Sequence, residues 1–236
     1  MTPYVIINGV SSKTINGLIV QSLPPITKPR LRTSREEIDG RDGDINTILG
    51  YSAYDKPVLI GLKGDYNVDD VISFFNQSGR VTFSNELDKY YFFAQYDPID
   101  FNRLLRFRTA TVNLHVQPFK YSAEEPSIIV RGSAETIYEE SIWNTGNVFS
   151  RPKLTIEGNG TITVYLNSEE ILSIALNTQG EKIIIEDFNA TDGAGNYLNR
   201  KVIGDYEKFK LVAGRTDLRI TGRLYKATLE KYSRWI

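Results

Sequence analysis

RTATVNLHVQPF, residues 108–119, places Val112, Leu114 and Val116 on one face of an extended chain and Thr111, Asn113, His115 and Gln117 on the other. That period-two alternation is the signature of a strand with one face on a core. Similar runs surround it. RVTFS (80–84) and KYYFFAQY (89–96), joined by the turn Asn85-Glu86-Leu87-Asp88, precede it, and Pro57 leads the apolar run Val58-Leu59-Ile60. After it come SIIVRG (127–132), RPKLTIEG (151–158), GTITVYLN (160–167), EILSIAL (170–176), EKIIIED (181–187), KFKLV (208–212) and LRITGRLYKATLEKYSRWI (218–236). Turn clusters separate these runs at roughly 8–12-residue intervals, as in an antiparallel sandwich. Near the start, Asn8-Gly9 follows the apolar residues 4–7, and Asn16-Gly17 lies between Ile15 and residues 18–20. Asn-Gly between apolar residues predicts a hairpin turn, because both positions need φ > 0.

Composition agrees with a mainly β chain. Among 236 residues there are 25 Ile, 14 Val and 18 Thr against 10 Ala and one Met, so β-branched residues far outnumber the best helix formers. The length suits two small domains, and 41% hydrophobic residues can fill their cores. A net charge of −1 argues against nucleic acid as the main partner. The absence of cysteine removes disulfides, zinc-thiolate sites and a cysteine nucleophile together, and fits assembly in a reducing cytoplasm. The opening MTPYVIINGVSSK has no basic n-region, and no apolar run approaches the ~20 residues needed to cross a bilayer. A soluble protein without membrane insertion is expected.

One sizeable helix is predicted, in GDYNVDDVISFFNQSG (64–79), where Val68, Val71, Ile72 and Phe75 follow helical spacing. Asp65 or Asn67 can cap its start, Asp69 and Asp70 suit the positive end of its dipole, and Gly79 can end it. At KYSAEEPS (120–127) the strand pattern loosens and Pro126 interrupts, which places a domain boundary between residues 122 and 127. Residues 24–44, PPITKPRLRTSREEIDGRDGD, are too polar for a core strand and form either a long exposed loop or a projecting hairpin.

No chemistry-bearing constellation emerges. His115 is the single histidine and lies on the polar face of its strand without a serine or cysteine partner. The pairs Glu36-Glu37, Glu124-Glu125, Glu139-Glu140 and Glu169-Glu170 sit in charged surroundings, as on a solvated face. DFNATDG (187–193) spaces Asp187, Asn189 and Thr191 like a calcium loop, but Gly193 is one place late and Leu198 stands where a bidentate Glu is needed, so a plain turn is expected. Gly193-Ala194-Gly195 lacks the third glycine of a dinucleotide loop, and no Walker sequence is present. Trp143 and Trp235, with Tyr165 and Tyr232, are either core aromatics or a platform on which a sugar could stack. No catalytic, cofactor or metal residue is assigned.

The order of the motifs is more informative. ING (7–9), GRDGDI (40–45) and PVLIGLKGDYNVDDVISFFNQSGRVTFS (57–84) in the first half, then WNTGNVFSRPKLTIEGNGTITV (143–164), GEKIIIED (180–187), AGRTDLRITG (213–222) and RWI (234–236) in the second, resemble the distal tail proteins of long, non-contractile-tailed bacteriophages over nearly the whole chain. The resemblance implies two domains. Residues 1–122 would be a β-sandwich-like belt with one helix and a projecting arm, closing into a hexameric ring. Residues 127–236 would be a galectin-like antiparallel β-sandwich projecting outward. It further implies a structural, non-enzymatic virion protein, made in the bacterial host's cytoplasm and placed at the distal end of the tail. There the family acts as a hub or baseplate component joining the tail tube protein to a tail-associated fibre or lysin, and in many phages it carries receptor-binding proteins. The second half has no long insertion, so an added carbohydrate-binding module is not expected.

Ring closure requires two different, complementary patches on each subunit. The arm is the expected reaching element: Arg30, Arg32, Arg35 and Arg41 are interspersed with Glu36, Glu37, Asp39 and Asp42, and Gly40 and Gly43 supply the positive φ of its bend. The competing reading is a mobile surface loop. At the level of function, the alternative is a lectin-like adhesin binding glycan through the second domain. A glycosidase would need a carboxylate pair in a cleft.

Overall fold

The computed structural model describes residues 2–97, 99–132 and 135–236. Its contacts divide the chain into two compact units, one containing residues 1–123 and the other residues 124–235.

In the first unit, β1 (Val5–Ile7) turns through Asn8 (φ 48°) and Gly9 (φ 85°) into β2 (Val10–Ser11), the expected hairpin. The second Asn-Gly pair behaves differently. A 3-10 turn over Ser12–Thr14 delivers the chain to β3 (Leu18–Ser22), and Ile15 belongs to no strand. Next come β4 (Leu31–Glu37), β5 (Asp44–Tyr51), β6 (Tyr54–Leu62), helix α1 (Val68–Phe75), β7 (Ser78–Phe83), β8 (Lys89–Ala94), helix α2 (Phe101–Phe107) and β9 (Thr109–Ser122). All but β4 and β5 join one antiparallel sheet, in the order β2-β1-β7-β8-β9-β6-β3. β9 is long enough to serve two partners, pairing β6 through Thr109–Val116 and β8 from His115 onward. Its Val112, Leu114 and Val116 are buried, as the alternation requires.

Both helices cover this core. Asn67 caps α1 by accepting from the Asp69 amide, and Val71, Phe74 and Phe75 enter the core. The helix ends at Asn76, so Gly79 lies in β7 and does not terminate it. α2 corrects the expectation of a single helix. Asp100 caps it and Arg108 closes it in the left-handed region (φ 57°). Leu104 is its one fully buried anchor among the described side chains, too little to leave a periodic trace in the sequence.

The second unit contains β10 (Ile128–Arg131), β11 (Glu135–Asn144), β12 (Lys153–Leu166), β13 (Glu169–Glu186), β14 (Asn189–Thr191), β15 (Val202–Gly204) and β16 (Gly214–Glu230). Three long strands organise it. Residues 153–157 of β12, the last third of β13 and the end of β16 form one layer, edged by β10 and β14. The other halves of the same strands form a second layer, edged by β11 and β15. Register shifts near Gly158–Gly160 mark where the sheet curls over, and inward residues from both halves, such as Leu154, Ile162, Ile174, Ile183, Ile220 and Leu229, share one core. The runs expected as separate strands on either side of residue 159, and of residues 177–180, are therefore continuous. β11 was not foreseen, and 208–212 supplies only an isolated bridge from Leu211 to Ser150.

The curl depends on glycine at two places. Gly222 has φ +123°, and a Cβ there would sit 2.4 Å from the Thr161 carbonyl oxygen; at Gly158 it would sit 2.5 Å from that of Arg223. Both obstacles are backbone, which cannot rotate away. Gly222→Ala should lower stability by at least about 1–3 kcal/mol. Gly180→Ala, with φ +75° but open space around it, should cost less. Urea unfolding followed by far-ultraviolet circular dichroism gives both values, and equal losses would show that the crossing strands do not demand Gly222.

Candidate subunit interface

β4 and β5 form a two-stranded ribbon of their own, running in register from Leu31 opposite Tyr51 to Glu37 opposite Asp44, with one bulge near Leu49. At ~3.3 Å per residue it extends roughly 25 Å. Every residue of β4 is exposed. Such a hairpin is marginal in water because it has no second layer to bury a face against. The ribbon nevertheless presents large apolar side chains: Ile48 is 67% exposed, Leu49 57% and Ile38 45%.

The structure places every arm residue named from the sequence. Gly40 and Gly43, both at φ +81°, make the tip, where the Arg41 amide donates to the Ile38 carbonyl (3.1 Å) and Asp42 lies between them in sequence. Arg35 pairs within the ribbon to Asp44 (3.5 Å). Charge is also sorted along the ribbon in a way the interspersed reading overlooked. Lys28, Arg30 and Arg32 lie toward the root, while Glu36, Glu37, Asp39, Asp42 and Asp44 crowd the outer half around Arg35 and Arg41. Glu37 stands directly opposite Asp44, a like-charge pairing that Arg35 offsets in part at Asp44 and that a second cation near Glu37 would ease further.

A buried lysine holds the root. Residues 23–30 belong to no strand or helix and carry two buried prolines, Pro24 and Pro29. Beneath them Lys56 of β6, only 2% exposed, donates from Nζ to the Pro25 carbonyl (3.3 Å). Its ammonium lies 4.7 Å from the Tyr91 ring centroid, 5.4 Å from that of Tyr54 and 5.6 Å from that of Phe83. The Tyr54 hydroxyl donates to the Thr27 carbonyl (3.4 Å), and the Ser52 amide to the Arg30 carbonyl (2.9 Å). Burial pushes the Lys56 ammonium below the ordinary lysine value, against the opposing pull of Glu86 and with help from the like charge of Lys120. Glu86 itself accepts from Lys120 and from the Tyr91 hydroxyl. Burial, then the neighbouring Tyr54 and Glu86, push the Tyr91 phenol well above its usual range. A lysine reads as a surface residue in sequence, so this anchor left no signal beyond its place in the strand YDKPVLIGL.

The other candidates take structural places. His115 lies 2.7 Å from Asp55, its cross-strand partner, beside the ring of Tyr96. Glu125 accepts from the amide and hydroxyl of Ser233 and lies 3.3 Å from Lys231 Nζ. Glu169 pairs with Lys208. Asp187 (φ 42°) and Phe188 (φ 69°) make the turn between β13 and β14, while Asp192 accepts from the amides of Ala194 and Asn196. Among the described residues no group of three His, Cys, Asp or Glu side chains could hold a metal ion, and no helix is long and apolar enough to cross a membrane.

The chain shares the fold of the Dit protein of phage SPP1, described as a paradigm of hub adsorption apparatus in phages infecting Gram-positive bacteria. The likeness covers 98% of this chain and 99% of that one, with a TM-score of 0.65 and 16% identity. Chains of the phage P2 baseplate in its activated conformation also match: with Ca over 98% and 97% of the two chains, TM-score 0.45 and 11% identity, and with Sr over 98% of each, TM-score 0.46 and 12% identity. No protein-family model and no curated protein matches the chain.

Replacing Lys56 by methionine separates its two effects. A buried ion exchanged for an apolar side chain of similar length is often neutral or stabilising, so Lys56→Met should leave global stability within about 1–2 kcal/mol of the parent. Amide exchange in residues 20–30 should nevertheless accelerate, since the Pro25 contact is gone. The pH dependence has a definite sign. Because the folded-state pKa is lowered, the unfolded chain binds more protons between that value and the ordinary lysine pKa, and stability from this group rises with pH across that window. Unfolding free energies of parent and variant, compared by urea titration at neutral and alkaline pH, should shift in favour of the parent as pH rises. An unchanged difference would place Lys56 in a solvated setting.

Proposed function

We propose that this chain is a structural virion protein, a distal tail hub whose subunits close into a hexameric ring linking the phage tail tube to the host-adsorption apparatus. The observation that carries the reading is the fold shared with the SPP1 hub protein along almost the whole of both chains. In this reading residues 1–122 form the ring and residues 127–236 the outward, galectin-like domain. The tail tube protein lies on one side of the ring and a tail-associated fibre or lysin on the other, with receptor-binding proteins as further partners. The role is one of assembly, without catalysis or cofactor.

The arm supplies the physics of closure. A ring needs unlike patches meeting head to tail, and the ribbon carries an acidic outer half and a basic root. The acidic end of one arm against the basic root region of the next eases what Arg35 leaves of the Glu37–Asp44 repulsion and fixes register. Covering Ile48 and Leu49 supplies the apolar part of the contact.

Six chains of 26.8 kDa give particles of about 161 kDa, or twice that where two rings stack back to back. Mass measurement in solution with negative-stain imaging tests this. A chain that stays monomeric at high concentration, both alone and with its tail partners, overturns the hub reading.

Two arm variants locate the interface. Ile48→Asp with Leu49→Asp removes apolar contacts worth about 1.5–3 kcal/mol each on full burial, so ring dissociation should rise by about 100-fold or more. Arg32→Glu with Arg35→Glu should weaken rings by a similar margin if the charges are desolvated, and by about fivefold or less if they lie at a wet rim. The melting of isolated subunits should barely move in either, because these side chains are exposed. Rings that form as readily as the parent in both variants would place the contact elsewhere on the first unit.

A further inference from the structure

The second unit carries a cleft that contains none of the arm residues. It opens on the outer face of the layer formed by β11, β16 and β12, and encloses about 420 Å³. That volume is near the lower end for small-ligand sites, about the room needed by one sugar ring with its first hydroxyl contacts.

The cleft is prearranged. Asp217 receives Nε and one terminal nitrogen of Arg215 (2.9 and 3.2 Å) and the hydroxyl of Ser141 (2.7 Å). These bonds hold its carboxyl below the usual carboxylate range, so it is an acceptor at neutral pH. Its backbone is clamped as well. The Asp217 amide donates to the Asn167 side-chain oxygen (2.9 Å), and the Asn167 amide donates to the Asp217 carbonyl (2.8 Å). Asn167 and Ser168 both hold positive φ, 51° and 68°, a conformation that non-glycine residues adopt at a cost. Across the strand, Arg219 lies 3.4 Å from Glu139 and 5.5 Å from the Tyr165 ring centroid.

An aromatic surface flanks this network. On β11 the outward positions alternate as Glu139, Ser141 and Trp143, and Trp143 pairs across the ladder with Arg215. Its side chain is 61% exposed. Indole is expensive to leave in water, and its flat face matches the C–H face of a pyranose. Planar carboxylate and guanidinium groups, already oriented by one another, match pairs of neighbouring hydroxyls, which both donate and accept. Acids and arginines in the cleft nearly balance, so neither an anion nor a cation is favoured.

We propose that this cleft binds a neutral saccharide, with Trp143 stacking on the ring and Asp217, Arg215 and Glu139 taking its hydroxyls. Saccharide binding and the ring reading stand on different residues, and either survives the failure of the other.

The test uses the full chain with the α-methyl glycosides of glucose, galactose, mannose and N-acetylglucosamine, and with glycerol 3-phosphate as the anionic comparison. Ligand-detected NMR suits both a ring and a free subunit. An open cleft of this size should give at least one glycoside a Kd of about 1–10 mM. Trp143→Ala and Asp217→Asn should each weaken it about tenfold, with melting curves confirming that both variants fold. No saturable binding by any glycoside at about 50 mM overturns the proposal. So does binding that survives both substitutions, or binding of glycerol 3-phosphate alone.

Discussion

A ribbon of two strands has one layer, and one layer has no inside. β4 and β5 satisfy half of each other's backbone groups and leave every β4 side chain and most of β5 exposed, so much of the free energy that keeps them together must come from somewhere other than the ribbon. The root meets part of that need. Pro24 and Pro29 lose little entropy on ordering, and Lys56 ties the segment they bracket to the sheet. Beyond the root, Ile48 and Leu49 remain 67% and 57% exposed among the described residues. Those side chains are the strongest physical reason to read the arm as half of an interface.

The choice of lysine for the root is informative. A leucine would pack against Tyr54, Phe83 and Tyr91 at lower desolvation cost, but it could not reach the Pro25 carbonyl. The aromatic rings soften the cost by presenting their negative faces to the ammonium. Stability is exchanged for direction: the chain leaves the sheet along one path, which is what a segment needs if a neighbour must find it in a fixed place.

Much of the architecture could be read from local pattern. Val112, Leu114 and Val116 gave the alternation of β9, and Asn67 with Val71 and Phe75 gave α1, because burial there is one-sided and leaves its period in the chain. Pattern failed where burial is sparse or two-sided. α2 rests on Leu104, and β11, ETIYEESIWN, buries only Ile142 and Asn144 among its described side chains, which is too few to set a period among its acids. β12 and β13 read as broken strands because Gly158-Asn159-Gly160 and residues 177–180 have the composition of turns, whereas the structure uses them to bend a continuous strand. For the candidate interface, the arm and its tip glycines were legible. The sorted charge was present in the sequence but visible only once residue 37 was seen to face residue 44, and the burial of Lys56 was not legible at all.

The topology of the second unit also sets an order of events during synthesis. β16 lies between β12 and both β10 and β11, yet it is made some 50 to 100 residues after them. Until it emerges, β10 and β11 lack the one ladder partner they have among the described residues, and β12 has β13 on one side alone. The growing chain therefore carries β12 and β13 as a long apolar hairpin with an open edge, the form most prone to pair with another nascent chain. On a polysome, where copies of this polypeptide grow side by side, the interval between residues 186 and 214 is the window in which crowding would divert it from its native partner.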